Sequence, residues 1–200
     1  MDIFLWASNL QMLFERLEKM TIIDACGKEY APDEAFSLWT QETLLVSERS
    51  GTIYLAGNGA SASMASHFTA DLTKNGRVRA QNFTDLSLIT ALGNDMGFEH
   101  VFSFPLHLYA QETDMLVVIS SSGNSPNIVS AVETAIEKSL FVVTLSSFTK
   151  SNKIHNRGSL NFHIPSENYG IAESCHTIIL HHWMDKVSAQ ITSVFTKATK

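Results

Sequence analysis

From residue 51 onward, short runs of unbroken apolar sequence alternate with segments of helical period. This grammar constrains the fold more than any other feature of the chain. Residues 52–56 (TIYLA), 115–120 (MLVVIS) and 140–145 (LFVVTL) read as strands. A strand with one wet face alternates apolar and polar residues, whereas these runs do not, so both of their faces must be covered. Helical patterns over 60–74, 127–138 and 172–194 supply the covers, and 78–82 and 160–164 read as weaker strands. Buried strands separated by helices give a parallel α/β sheet between helical layers. In such a sheet ligands sit at the carboxyl ends of the strands. The loops after Ala56, after Ser120 and near Asp85 are therefore where chemistry is expected.

The first fifty residues read differently. Leu10, Leu13, Phe14 and Leu17 recur at helical spacing. A second helix runs from Pro32 towards Ser50 with Phe36, Leu38, Trp39, Leu44 and Val46. Pro32 followed by Asp33 and Glu34 suits a helix start, and Cys26-Gly27-Lys28-Glu29 reads as the connection. The expected organisation is an N-terminal helical region, 1–50, and an α/β region, 51–200, within one structural domain.

With 44% hydrophobic and 17% charged residues, 200 residues can bury a core and are not globally disordered. A net charge of −6 argues against a protein that binds nucleic acid by neutralising phosphates. Two cysteines, Cys26 and Cys175, are too few for a disulfide scaffold. No run reaches the roughly 18 apolar residues of a membrane span. The opening residues 1–6 lack a basic segment and a cleavage site, so a mature cytoplasmic chain is expected.

Two loops have the composition of phosphate sites. Gly57-Asn58-Gly59-Ala60-Ser61-Ala62 joins a strand to a helix, with glycines for tight turns and helix N–H groups for an anion. Its letters also fit a G-x-G-x-x-A dinucleotide fingerprint. No acid lies about 20 residues on, however, and Asp85 is too far along the chain for the ribose contact. Ser120-Ser121-Ser122-Gly123-Asn124-Ser125-Pro126 follows the best strand. Ser125 is placed to cap the next helix, with Pro126 at its first position. Hydroxyls and backbone donors meet at a helix N-terminus without one Lys or Arg, which suits a phosphate monoester held by neutral groups. The G-x-x-x-x-G-K-[ST] pattern of a P-loop is missing.

These two loops, together with Thr90-Ala91-Leu92-Gly93-Asn94-Asp95-Met96-Gly97-Phe98, resemble the SIS (sugar isomerase) domain and, within it, the phosphoheptose isomerase group. The resemblance runs from about residue 30 to 195. It implies a five-stranded parallel sheet flanked by helices, and a homotetramer with N-terminal helices at its interfaces and active sites between subunits. It implies that Ser61, Ser120, Ser121, Ser122 and Ser125 hold the phosphate, with Asn58 and Gly59 beside them and Asp95 as an active-site acid.

The residues also offer a metal set. His67 and Asp71 stand at i and i+4 on one helix face, and Glu173 and His181 are eight apart on the last helix. Two imidazoles and two carboxylates make a sensible zinc site. The isomerases that the chain resembles ligate one zinc per subunit with a His, a Glu four residues on, and a Gln and a His eight apart. Here Asp71 replaces that Glu, which shortens the base by one methylene, and Glu173 replaces the Gln, which adds a charge. Tyr169-Gly170-Ile171 stands where those enzymes carry a polar residue and an Arg. The implied reaction is aldose–ketose isomerisation of a heptose 7-phosphate, with Asp71 as carbon base and His181 as partner acid/base. A non-catalytic SIS adaptor of the replication-initiation type and a sugar-phosphate sensor are the alternatives. The adaptor loses the helix acid and the last-helix His, both of which carry competent side chains here.

His176 completes an unrepeated E-x-x-H and is set aside. His182, His100, His107, His155 and His163 read as structural or exposed, and Cys175 as a packed thiol. The aromatic segment 98–109 reads as a core helix, broken or bent near Pro105.

Overall fold

The computed structural model describes residues 5–198, and side chains as far as Ile191. Residues 1–4, which include most of the opening segment read as a mature amino terminus, and residues 199–200 lie outside the described residues.

The strands are β1 (Thr21–Ile23), β2 (Thr52–Gly57), β3 (Arg79–Asn82), β4 (Met115–Ser120), β5 (Phe141–Ser146) and β6 (Leu160–His163). They form one sheet in the order β1-β6-β5-β4-β2-β3. The five strands from β2 to β6 run parallel, as the continuous apolar runs require. A sixth strand, β1, joins the edge antiparallel, with Ile22 opposite Phe162. Three residues are too short a run to announce themselves in the sequence. Through β1 the first fifty residues are hydrogen-bonded into the sheet.

The sheet divides the core into two layers. Ile53 and Leu55 of β2, and Met115, Val117 and Ile119 of β4, point to one face. Tyr54, Ala56, Leu116 and Val118 point to the other. The first face is covered by α1 (Trp6–Glu18), α2 (Pro32–Glu48), α3 (Ala60–Lys74) and α7 (Tyr169–Ala198). The second is covered by α4 (Leu86–Asp95), α5 (Ser103–Tyr109) and α6 (Pro126–Glu137). All six residues of β4 are buried, which accounts for its apolar run.

The two N-terminal helices sit against α7. Trp39 of α2 stacks on Trp183 of α7 at 4.2 Å between ring centroids. The Trp183 indole N–H donates to the buried Thr43 hydroxyl at 3.0 Å, and that hydroxyl donates to the Trp39 carbonyl one turn back. Trp183 therefore satisfies its polar handle inside the core, whereas the buried Trp39 indole N–H finds no partner.

The aromatic segment 98–109 departs from expectation. It forms a short 3-10 turn, Phe98–His100, followed by α5. Pro105 lies in the first turn of α5, where its missing N–H costs nothing, so it bends no helix. Phe98, Phe104, Leu108 and Tyr109 are exposed rather than in the core. Helix α4 was not foreseen, although Leu88, Ile89 and Leu92 recur at helical spacing. Asp85 begins it, its carboxylate accepting the Leu88 N–H at 2.8 Å. Asp85 thus serves as a cap.

Candidate active site

The carboxyl ends of β2 and β4 are neighbours in the sheet, with Gly57 in register with Ile119. The two serine- and glycine-bearing loops therefore leave the sheet side by side. Gly57 is required by the close approach of α3: a Cβ there would lie 2.6 Å from the Ser61 carbonyl carbon. Gly59 takes φ +57 at the start of the helix. Across the two loops, Asn58 and Asn127 exchange side-chain amide hydrogen bonds at 2.9 and 2.8 Å. This reciprocal pair joins the loops directly. Asn127 is buried, and its oxygen also accepts the Ile128 N–H.

Between the loops lies a cavity of about 150 Å³, lined by Ser61, Ser120, Ser121, Ser122 and Ser125, with Asn58 on its wall. That is roughly five water volumes, room for a phosphoryl group but not for a sugar. The sequence reading gave the Ser125 hydroxyl to the α6 cap. Ser125 does occupy the cap position, but its side chain makes no capping bond. Its backbone carbonyl accepts the Ile128 and Val129 N–H groups, which leaves the hydroxyl to the cavity. The Ser121 hydroxyl is buried and has no hydrogen-bond partner. A buried polar atom left unpaired is costly, and one inside a cavity is an open seat for a ligand.

The loop is braced from behind. Gly123 takes φ +61, and its face is packed so closely on the Asn152 side chain that no Cβ could fit. The Asn152 amide donates to the Thr149 carbonyl at 2.7 Å, and the Lys153 N–H donates to the Asn124 side-chain oxygen at 3.0 Å. Tyr169 and Glu173, one turn apart at the start of α7, complete the cavity wall. The Tyr169 ring meets Phe148 edge-on at 4.7 Å. Phe148 is held at φ +58, a left-handed conformation unusual for a bulky residue.

A second cluster lies further along the seam where α3 packs on α7. The His67 Nε2 is 3.4 Å from the Asp71 carboxylate, and the His67 and His181 rings are 5.6 Å apart. One donor atom from each of His67, Asp71 and His181 lies within 4.8 Å of the others, a geometry fit for one metal ion. Thr177, halfway between Glu173 and His181, donates to the Glu173 carbonyl and touches the Met64 sulfur of α3. The hollow and the triad are thus two stations on one seam. Glu173, expected as a fourth ligand, does not join the triad. Glu173 lines the serine hollow. Asp95 also stays apart. It is exposed at the end of α4 and accepts the neighbouring Asn94 amide at 2.7 Å.

Residues 43–147 match the SIS domain family. A phosphoheptose isomerase from Helicobacter hepaticus is 34% identical over 146 residues, covering 70% of this chain and 74% of that protein. One from Campylobacter concisus is 37% identical over 138 residues, 64% of this chain and 71% of that protein. The chain belongs to the SIS domain family, in its phosphoheptose isomerase group. Among solved structures, the phosphoheptose isomerase of Neisseria gonorrhoeae superposes with a TM-score of 0.72 at 32% identity, over 77% of this chain and 86% of that one. That of Francisella tularensis gives 0.78 at 27% identity, over 92% and 94%.

Beside this SIS site lies a feature that the sequence concealed. His155, His163 and His176, far apart in the chain, gather at the ends of β5 and β6. The His155 and His163 rings are 4.9 Å apart. His163 meets the Ser146 hydroxyl at 3.2 Å, and His176 meets the Ser146 carbonyl at 3.2 Å. Burial pushes His163 and His176 each down to about 4, and burial lowers His155 as well. These are neutral packing groups, and they support the loop that braces Gly123. Burial pushes the Cys175 thiol up to about 11, so it is inert. His182 packs edge-on against Phe36. Asn127 and Tyr169 are site residues to which the sequence reading gave no role of their own. Asn127 could have been found as a second amide placed, like Asn58, at a loop-to-helix junction.

Proposed function

We propose that this SIS protein interconverts sedoheptulose 7-phosphate and D-glycero-D-manno-heptose 7-phosphate, an aldose–ketose isomerisation. One observation carries the reading: a hollow of neutral hydroxyls and a His-Asp-His triad share the α3–α7 seam. The phosphoryl end would sit in the hollow, held by Ser61, Ser120, Ser121, Ser122 and Ser125 and by the dipole at the start of α6. The sugar, too large for the hollow, would extend along the seam towards the triad.

Two imidazoles and one carboxylate suit zinc, and three protein ligands leave a position open, as catalytic zinc sites require. His67, Asp71 and His181 would hold it. When bound, the ion supplies positive charge to the substrate oxygens. The proton movements belong to side chains. The Asp71 carboxylate takes a proton from C1 of the open-chain ketose, leaving an enediol, and returns it to C2. His181 carries the hydroxyl proton between O2 and O1. Each group ends as it began, so the reaction is a pure isomerisation. Asp95, at the carboxyl end of α4, would meet sugar hydroxyls.

The homotetramer belongs to the same proposal. Trp6, Leu10 and Phe14 lie one turn apart on α1, exposed and apolar, which supports packing of the N-terminal helices against another copy. Among the described residues no helix is long and apolar enough to cross a membrane, and a cytoplasmic location is the reading in keeping with that. Light scattering tests the oligomer.

The deciding experiment is a coupled assay against a panel of ketose phosphates, with and without added zinc, alongside metal analysis of the purified protein. Turnover of sedoheptulose 7-phosphate with about one divalent ion per chain supports the proposal. Full turnover by both Asp71→Asn and His181→Ala would refute the assignment of roles, and persistent absence of metal and turnover would favour a sensor or adaptor.

A further inference from the structure

The hollow carries an electrostatic contradiction. Among the described residues that line it there is no Lys or Arg, yet Glu173 forms part of its wall. In a space of about 150 Å³ any guest lies close to that residue. A phosphate dianion placed among the serines would meet a like charge with no basic residue to offset it. Such a charge costs roughly a factor of ten in affinity even with nearly water-like screening, and more where water is excluded. Hydroxyl donors alone, including the unpartnered Ser121, would serve bare phosphate and a phosphate ester equally well.

We infer that Glu173 is a specificity-determining residue that makes the hollow select polyhydroxylated phosphate esters over free orthophosphate. This rests on the reading of the hollow as a phosphoryl site. A carboxylate is acceptor-only, so it repays its repulsion only if the guest brings O–H donors. A sugar phosphate brings several, adjacent to the phosphoryl group. Orthophosphate near neutral pH is a mixture of mono- and dianion with one or two O–H donors, fewer than a polyhydroxylated ester brings, so it repays less of the repulsion. Glu173 is half-buried on the first turns of α7, and its backbone carbonyl accepts the Thr177 hydroxyl, so its backbone is held beside the hollow by the helix. The device exploits negative selection: it rejects the competitor more than it attracts the substrate. Tyr169, one turn earlier, narrows the same mouth.

The test is calorimetric binding of orthophosphate to the metal-stripped full-length protein at pH 7.5, together with KM for the sugar phosphate on the metal-loaded enzyme. Glu173→Gln keeps the size, exchanges one acceptor oxygen for a donor and removes the charge. It should tighten orthophosphate about tenfold while KM changes less than threefold or rises, so the preference for the ester collapses. Ser121→Ala serves as the control and should weaken orthophosphate in both backgrounds. Unchanged orthophosphate affinity in Glu173→Gln, with the Ser121 effect intact, overturns the inference alone. Absence of any Ser121 effect overturns the phosphoryl reading of the hollow itself. An equal tightening of ester and orthophosphate also overturns the inference, since the charge would then confer no selectivity.

Discussion

The serine hollow and the histidine triad sit on the same helical seam but are built in opposite ways. The hollow is cut into the end of a fully buried strand, and its loops are tied by the Asn58–Asn127 exchange and braced by Asn152. The triad stands at the surface, with the His67 side chain 54% exposed, and it is positioned only by the packing of two helices. A site that grips an invariant group benefits from rigidity bought at the sheet end. A site that moves protons and takes an ion must be open to both. Under the proposed function, recognition falls to the hollow and turnover to the triad, and that division can be broken by separating KM from kcat.

The largest expected effect is on chemistry. Asp71→Asn and His181→Ala should each lower kcat by about 10²-fold or more, with orthophosphate affinity of the stripped protein unchanged. An equal loss of phosphate affinity would show that the two regions are not separate. Next, Ser121→Ala should raise KM about tenfold with kcat preserved within a few-fold. Because the Ser121 hydroxyl is unsatisfied without ligand, the free variant should melt no lower than the parent. A drop of several degrees would mean that the hydroxyl serves the fold.

Asn127→Ala tests the tie between the loops. It leaves the Asn58 amide unpaired and should cost about 1–3 kcal/mol of stability, with KM rising more than kcat falls. Tyr169→Ala should raise KM only a few-fold, because its ring is largely exposed and leans on Phe148 alone. An unchanged KM would remove Tyr169 from the mouth of the site.

The smallest effect at neutral pH is on stability. His163 and His176 are pushed to about 4 in the folded protein, against about 6.5 when unfolded. Between those values the unfolded chain binds more protons, so stability rises with pH across that window. The histidine contribution is complete above about pH 6.5 and is lost as pH falls towards 4. Thermal melts from pH 7.5 to 4.5 should fall progressively, and less steeply in His163→Gln. A flat profile would contradict the burial of these rings.

Much of the fold was legible because burial writes itself into sequence. The run MLVVIS can only be a strand covered on both faces, and 60–74 was read to the residue because its helix is bounded by Gly59 and Asn75. Strand β1 was not legible, since three residues paired to β6 carry no period of their own. Helix α4 was hidden because it buries only Leu92. In the site, the serines could be read from composition and the His67–Asp71 pair from its spacing. For Glu173 an interval of eight fixes a broad face but not which neighbouring loop that face meets, and in the structure it lines the serine hollow. The histidines around Ser146 come from β6, α7 and the loop between β5 and β6, and only tertiary structure gathers them.

The most direct test of the central claim is to follow sedoheptulose 7-phosphate by NMR in deuterium oxide with zinc-loaded protein. Conversion to the aldose is expected, with solvent deuterium on its C2 in the fraction of turnovers in which the proton on Asp71 exchanges during the enediol's lifetime, and loss of both conversion and exchange in Asp71→Asn. No conversion by the parent protein, or undiminished exchange in Asp71→Asn, would contradict it.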